Sequence, residues 1–142
     1  MSIRTAQAVW EGTVKEGKGN ISIPKNSINE KYSYSSRFEE SPGSSPEELL
    51  AAAEASCFSM ALTEQLAKEG LKPKFVDTTA KVHVDKSGEK FKITEIELDT
   101  KGNVPGIDLK KFQDYAEQAK KISPISQSLS NVQIKLNANL LN

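Results

Sequence analysis

The chain has 142 residues, with 19 Lys plus Arg against 19 Asp plus Glu, one Cys and one His, a length that suits one domain, residues 1–142, around a single hydrophobic core. The balanced charge leaves no field of either sign to draw in nucleic acid or an anionic membrane surface, and no apolar run approaches the roughly 20 residues that cross a bilayer. A lone Cys and a lone His exclude an internal disulfide and a zinc centre within the chain, since such a centre needs about four N or S ligands.

The polar start Met1-Ser2-Ile3-Arg4 lacks a secretory apolar stretch, so the expected address is the cytoplasm. From Thr5 to Ile23, Ala6, Ala8 and Trp10 precede Gly12, Gly17 and Gly19, with Ile21 and Ile23 beyond; this predicts two strands joined by a Gly-containing turn. Tyr32, Tyr34 and Phe38 fall on alternate positions, which reads as a third strand over Lys31 to Glu39, closed by the loop Ser41-Pro42-Gly43-Ser44. Ser45-Pro46-Glu47-Glu48 then sets an N-cap Ser, a Pro at the first helical position and a Glu at the third. The helix it starts continues through Leu49, Leu50, Ala53, Cys57, Phe58, Met60, Ala61, Leu62 and Leu66 to Gly70. Being apolar on more than one face, it is expected to be central and buried.

Phe75 to Val84 and Phe91 to Leu98 flank the turn cluster Asp85-Lys86-Ser87-Gly88 and predict a second antiparallel hairpin. After Val104-Pro105-Gly106, Leu109, Phe112, Tyr115, Ala116 and Ala119 recur at helical spacing up to Lys121. Strict alternation of Val132, Ile134, Leu136, Ala138 and Leu140 gives a terminal strand with one buried face. The class is therefore α+β.

Two residues are candidates for chemistry. Cys57 stands near the middle of the first helix, with Ala53 one turn before it and Met60 and Ala61 one turn after. Unpaired Cys is among the most buried residue types, so position alone fits an inert core thiol as well as a reactive one. His83 alternates with Val82 and Val84, which turns it to the solvent face, away from any pairing with Cys57.

The pattern of the whole chain resembles the OsmC/Ohr family of bacterial peroxide-reducing thiol proteins, and the OsmC branch in particular. The resemblance runs from Ala8-Val9-Trp10-Glu11-Gly12 through Arg37-Phe38-Glu39 and Ser45-Pro46-Glu47-Glu48-Leu49 to Ala55-Ser56-Cys57-Phe58-Ser59-Met60-Ala61-Leu62. It continues over Val76-Asp77-Thr78-Thr79-Ala80 and Val104-Pro105-Gly106-Ile107-Asp108 to Ser123-Pro124-Ile125-Ser126-Gln127. The helix motif around Cys57 and its spacing from Glu47 are the specific parts. Such a resemblance implies antiparallel sheets wrapped around two central helices in an intertwined homodimer. It also implies a peroxidase that acts on organic hydroperoxides without a cofactor and is recycled by an external thiol or dithiol reductant. Cys57 would attack the peroxide, with Arg37 and Glu47 assisting.

Physical magnitudes agree with those roles. The attacking species is the thiolate, and an ordinary thiol with a pKa near 8.5 is mostly protonated at neutral pH. A cation about 4 Å away, at an effective dielectric near 20, contributes on the order of 4 kcal/mol toward ionisation, partly offset by burial. Arg37 is sufficient for this if it lies that close, and its guanidinium also suits the charge that develops on the departing oxygen. Glu47 lies ten residues before Cys57, about 15 Å along a continuous helix, and cannot touch it from the same helix. An Arg37 shared by both is therefore expected to be reached by Glu47 of a partner subunit, in a site composed across the dimer.

One position departs from the family pattern. A second cysteine, which closes a disulfide on the oxidised first one, is replaced by Ser123. A hydroxyl keeps the shape and a hydrogen-bond donor but cannot close that bond. An external thiol then resolves Cys57 directly, or the protein turns over poorly and over-oxidises, or the Ser was introduced deliberately to trap one redox state. The rival function is a non-catalytic dimer that binds an apolar ligand or reports oxidation through Cys57.

Overall fold

Glycine and aromatic residues shape the first sheet. In the computed structural model, which describes residues 2–142 except the side chain of Ser87, β1 (Gln7–Glu11) pairs antiparallel with β2 (Lys18–Ser22). β2 in turn pairs antiparallel with β3 (Asn29–Tyr32). Gly19 is required at the centre: a Cβ there would come within 2.4 Å of the Tyr32 ring and 2.6 Å of the Trp10 ring. Those rings pack at 5.3 Å between centroids over the strand.

The third strand ends sooner than the alternation of Tyr32, Tyr34 and Phe38 predicts. At Ser33 the chain turns into a short helix, α1 (Tyr34–Phe38). Ser33 accepts from the Ser36 backbone N–H at 3.1 Å, and Ser36 Oγ accepts from the Ser33 N–H at 2.8 Å. This reciprocal cap satisfies two donors and outweighs the weak strand signal of three aromatic residues. Tyr34 and Phe38, four residues apart, then stack along one side of the turn at 5.1 Å. Arg37 consequently projects from a helical turn, not from a strand end.

The long helix α2 (Pro46–Lys68) begins where the sequence places it. Ser45 Oγ accepts from the Glu48 N–H at 3.1 Å and donates to Glu48 Oε1 at 2.9 Å. The helix ends before Gly70, whose φ of +74° breaks the helical run. Its burial is one-sided: Glu54, Phe58, Ala61, Leu62 and Leu66 are buried, whereas Met60 is 77 % exposed. In a single chain the expected all-round burial is thus absent.

β4 (Phe75–Ser87) and β5 (Lys90–Asn103) form a long hairpin that reverses at Gly88, φ +64°. After it come α3 (Leu109–Ile122), capped by Asp108 through the Lys111 N–H at 2.9 Å, the short α4 (Pro124–Ser128) and β6 (Gln133–Leu140). β6 pairs with β5 in parallel, a departure from the antiparallel arrangement expected of the sheets. The cause is topological, since α3 and α4 carry the chain back to the end of the sheet where β5 entered. Phe58, Leu62 and Leu66 of α2, Ile96 and Leu98 of β5, and Phe112, Ala116 and Ala119 of α3 form one core cluster.

By contact density the chain divides into two compact units, Met1–Leu49 and Leu50–Asn142. The first holds the β1–β2–β3 sheet and α1, and the second holds the core cluster and the β4–β5–β6 sheet. Among the described residues no helix is long and apolar enough to cross a membrane.

Two groups in the second unit link stability to alkaline pH. Desolvation raises the Tyr115 phenol above its usual 10.0, and Glu69 adds to this by hydrogen bonding and charge. Lys135 is raised above 10.5, first by its hydrogen bond to Glu95 and then by the Glu95 charge. Both contributions are fully present below the unfolded values and are lost as pH rises through the folded ones. Denaturant melts should therefore show a loss of stability from about pH 10 upward, with a shallower loss in Tyr115→Phe; an identical decline in that variant would exclude the tyrosine as a source.

Candidate active site

Cys57 presents a half-buried thiol from the middle of α2. Ser123, at the junction of α3 and α4, is fully buried and donates its hydroxyl to Cys57 Sγ at 2.9 Å. The backbone places that hydroxyl firmly. The Ser123 N–H completes α3 by donating to Ala119 O at 2.9 Å, and the Ser123 carbonyl accepts from the Gln127 N–H at 2.9 Å as α4 begins. Next to the sulfur opens a cavity of about 760 Å³, lined chiefly by apolar side chains that include Met60, Ala61, Val76, Ile122 and Pro124.

Three residues from this pair, a second link joins the same two segments. Glu54, one turn before Cys57, is fully buried, and its Oε1 accepts from Ser126 Oγ. Its Oε2 has no hydrogen-bond partner among the described residues. Neither residue was singled out by sequence reasoning. A Glu inside an Ala-rich apolar run was the available signal, and Ser126 lies in the Ser123-Pro124-Ile125-Ser126-Gln127 motif. Deeper along α2, Ser59 Oγ donates to Thr78 Oγ1 at 2.8 Å, which lies 2.9 Å from Thr100 Oγ1.

Arg37 and Glu47 meet within the first unit. Nη2 of Arg37 lies 2.7 Å from Glu47 Oε1, and Nε donates to both carboxylate oxygens at 2.9 and 3.2 Å. The Arg37 guanidinium also stands 4.8 Å from the centre of the Phe38 ring. The expectation that Arg37 would need Glu47 from a partner subunit is therefore corrected, because one chain supplies both. The helical turn at Ser33 makes this possible by aiming Arg37 at the first turn of α2, where a strand would have pointed it elsewhere. Fixed on two sides by the carboxylate, the guanidinium keeps its other terminal nitrogen outside that pair.

His83 faces out from β4, as the alternation predicts, with Nε2 3.2 Å from Glu97 Oε2 and 3.7 Å from Glu95 Oε2. This imidazole and two carboxylates form a three-donor cluster on the exposed face of the sheet. Lys135 Nζ, 2.9 Å from Glu95 Oε1, already neutralises one of the acids, so the group is an interleaved ion network.

The sequence profile of the OsmC-like protein family matches residues 38–137. The chain belongs to the OsmC-like family. The matched span takes in Glu47, Cys57 and Ser123 and begins one residue after Arg37. Peroxiredoxin OsmC of Escherichia coli strain K12 is 44% identical over 127 residues, 89% of each chain, and the Shigella flexneri protein of the same name matches equally. Among solved structures, an OsmC-like protein of unknown function from Vibrio cholerae superposes with a TM-score of 0.77 at 17% identity, covering 97% of this chain and 99% of its own. The organic hydroperoxide resistance protein OhrB of Bacillus subtilis does so at 0.69 and 23%, covering 94% and 97%. At those identities the structures establish the shared OsmC-like fold.

Proposed function

We propose that this OsmC-like protein reduces organic hydroperoxides through Cys57. The observation that carries the reading is a thiol held at 2.9 Å by a buried hydroxyl donor and opening onto a large apolar cavity, which suits an alkyl or lipid hydroperoxide better than hydrogen peroxide. The thiolate attacks the terminal peroxide oxygen, the O–O bond breaks, and a proton joins the departing alkoxide, so that thiolate, ROOH and H⁺ become Cys57 sulfenic acid and ROH. Arg37 steadies the thiolate and the departing oxygen, and Glu47 aims Arg37. An external thiol then condenses with the sulfenic acid and releases water. A second thiol frees Cys57 from the mixed disulfide.

Residues 1–142 work as one domain in a cytoplasmic homodimer. Support comes from the exposed apolar groups Met60, Phe75 and Ile122, at 77, 44 and 42 %, of which Met60 and Ile122 line the Cys57 cavity and would be covered by a second copy. Because Glu47 and Cys57 are ten residues apart on one helix, the Arg37–Glu47 pair of one chain serves Cys57 of the other.

The test is intact mass after brief exposure to one equivalent of an organic hydroperoxide in the presence of a sulfenic-acid trap. A rapid single adduct is expected, absent in Cys57→Ala. Labelling no faster than that of a free thiol would sink the enzyme reading. Ser123 in place of a second cysteine specifically favours another reading, a one-cysteine redox sensor or apolar-ligand binder. That reading predicts an adduct without sustained thiol-dependent turnover.

A further inference from the structure

We propose that Glu54 is a positioning residue for the reactive sulfur: by accepting from Ser126 it fastens the α3–α4 junction to α2 and thereby holds the Ser123 hydroxyl on Cys57 Sγ. This inference rests on the reading of Cys57 as the attacking thiol.

The geometry is a two-rung ladder. On α2 the rungs start at Glu54 and Cys57, three residues apart and so on one face of the helix. At the junction they end on Ser126 and Ser123, again three residues apart, across the start of α4. Glu54 and Ser126 are 0 and 6 % exposed, so their rung is shielded from water, where hydrogen bonds direct structure most strongly, whereas the Ser123–Cys57 rung is buried at its Ser123 end and meets the cavity at the sulfur. α4 has only five residues, of which Ser126 is the buried one, so the bond from Glu54 reaches it at the side chain it turns inward.

A role in folding alone accounts poorly for a carboxyl at this position. The other buried residues of α2, Phe58, Ala61, Leu62 and Leu66, are all apolar, and Oε2 goes unpartnered among the described residues. A buried oxygen without a partner is destabilising, and an apolar side chain at 54 would avoid that cost. What an apolar side chain cannot do is hold Ser126, and through it the direction of the Ser123 hydroxyl. The two rungs also differ in chemistry. Oxidation of Cys57 changes the atom that the Ser123 hydroxyl faces, whereas the Glu54–Ser126 bond involves no reacting atom.

The test uses the rate of Cys57 alkylation by iodoacetamide as a function of pH, in the full-length protein and in Glu54→Ala, Glu54→Gln, Ser126→Ala and Ser123→Ala. Loss of the hydroxyl donor should slow alkylation near neutral pH by about three- to tenfold, up to one pH unit of displacement, while the high-pH plateau stays put. Glu54→Ala and Ser126→Ala should reproduce that displacement, and Glu54→Gln, which keeps an acceptor oxygen, should stay within about twofold of the parent. Adding Glu54→Ala to Ser123→Ala should change nothing more, because both act through one hydroxyl. An unchanged profile in folded Glu54→Ala overturns the proposal, as does a further displacement in the double variant. Should Glu54→Ala fail to fold, Ser126→Ala removes the same bond from the other side and decides alone. Alkylation involves no peroxide, so failure of the peroxidase reading would appear in the sulfenic-acid assay while leaving these profiles interpretable.

Discussion

Replacing Ser123 by Cys should turn the single-thiol site into a disulfide-forming one: one equivalent of organic hydroperoxide then yields a protein about 2 Da lighter, with no trapped sulfenic acid. The expectation follows from the 2.9 Å between Ser123 Oγ and Cys57 Sγ. Ser and Cys share the same Cβ direction, so a sulfur at 123 starts near the first and needs only a small inward shift to reach the S–S length of about 2.05 Å. Turnover supported by a dithiol should rise on the order of tenfold, because a thiol held beside the sulfenic acid competes at high effective concentration with any thiol arriving from solution. Ser123 is fully buried, so the larger sulfur should cost the reduced variant about 1–3 kcal/mol of stability. Persistence of a trappable sulfenic acid in Ser123→Cys would mean that the junction in solution does not hold position 123 against Cys57.

Arg37→Ala should lower the rate of Cys57 oxidation by about 10²–10³-fold, the usual penalty for losing a preorganised donor at a developing oxyanion. Arg37→Lys should recover part of this, since it restores the charge without the planar fork that Glu47 grips. Stability should scarcely change. The Arg37 side chain is 38 % exposed, and ion pairs of that kind are worth about 0–1 kcal/mol. The intrachain Arg37–Glu47 pair also sharpens the test for a site shared between copies. Equal amounts of Arg37→Ala and Cys57→Ser chains, unfolded and refolded together, form heterodimers in about half of the pairs, each with one complete site, so about a quarter of the parental activity should return. No recovery would rule out the shared site.

Much of the fold was legible because its signals are local. Ser45-Pro46 capping a run of apolar residues specifies α2 whatever surrounds it, and the helical spacing of Leu109, Phe112, Tyr115, Ala116 and Ala119 specifies α3. The misreadings arise where local signals compete or are silent. Tyr32, Tyr34 and Phe38 fit a strand period and a helical turn almost equally, and only the Ser33–Ser36 cap decides between them. Alternation in Val132 to Leu140 shows which face is buried but carries no information on whether the neighbouring strand runs parallel or antiparallel.

By itself the sequence determined the α+β class and the two principal helices, and it marked Cys57 and Ser123 as the positions on which the proposed chemistry rests. Those features depend on residue identity and on spacing within a few turns of chain. Only the tertiary structure decided that Ser123 bonds to Cys57 across 66 residues, that Glu54 and Ser126 form a second link across 72, and that Arg37 takes Glu47 from its own chain. Contacts of that range follow from how the helices and their connections pack, and a side chain such as Glu54 reads as an ordinary helix former until packing removes it from water.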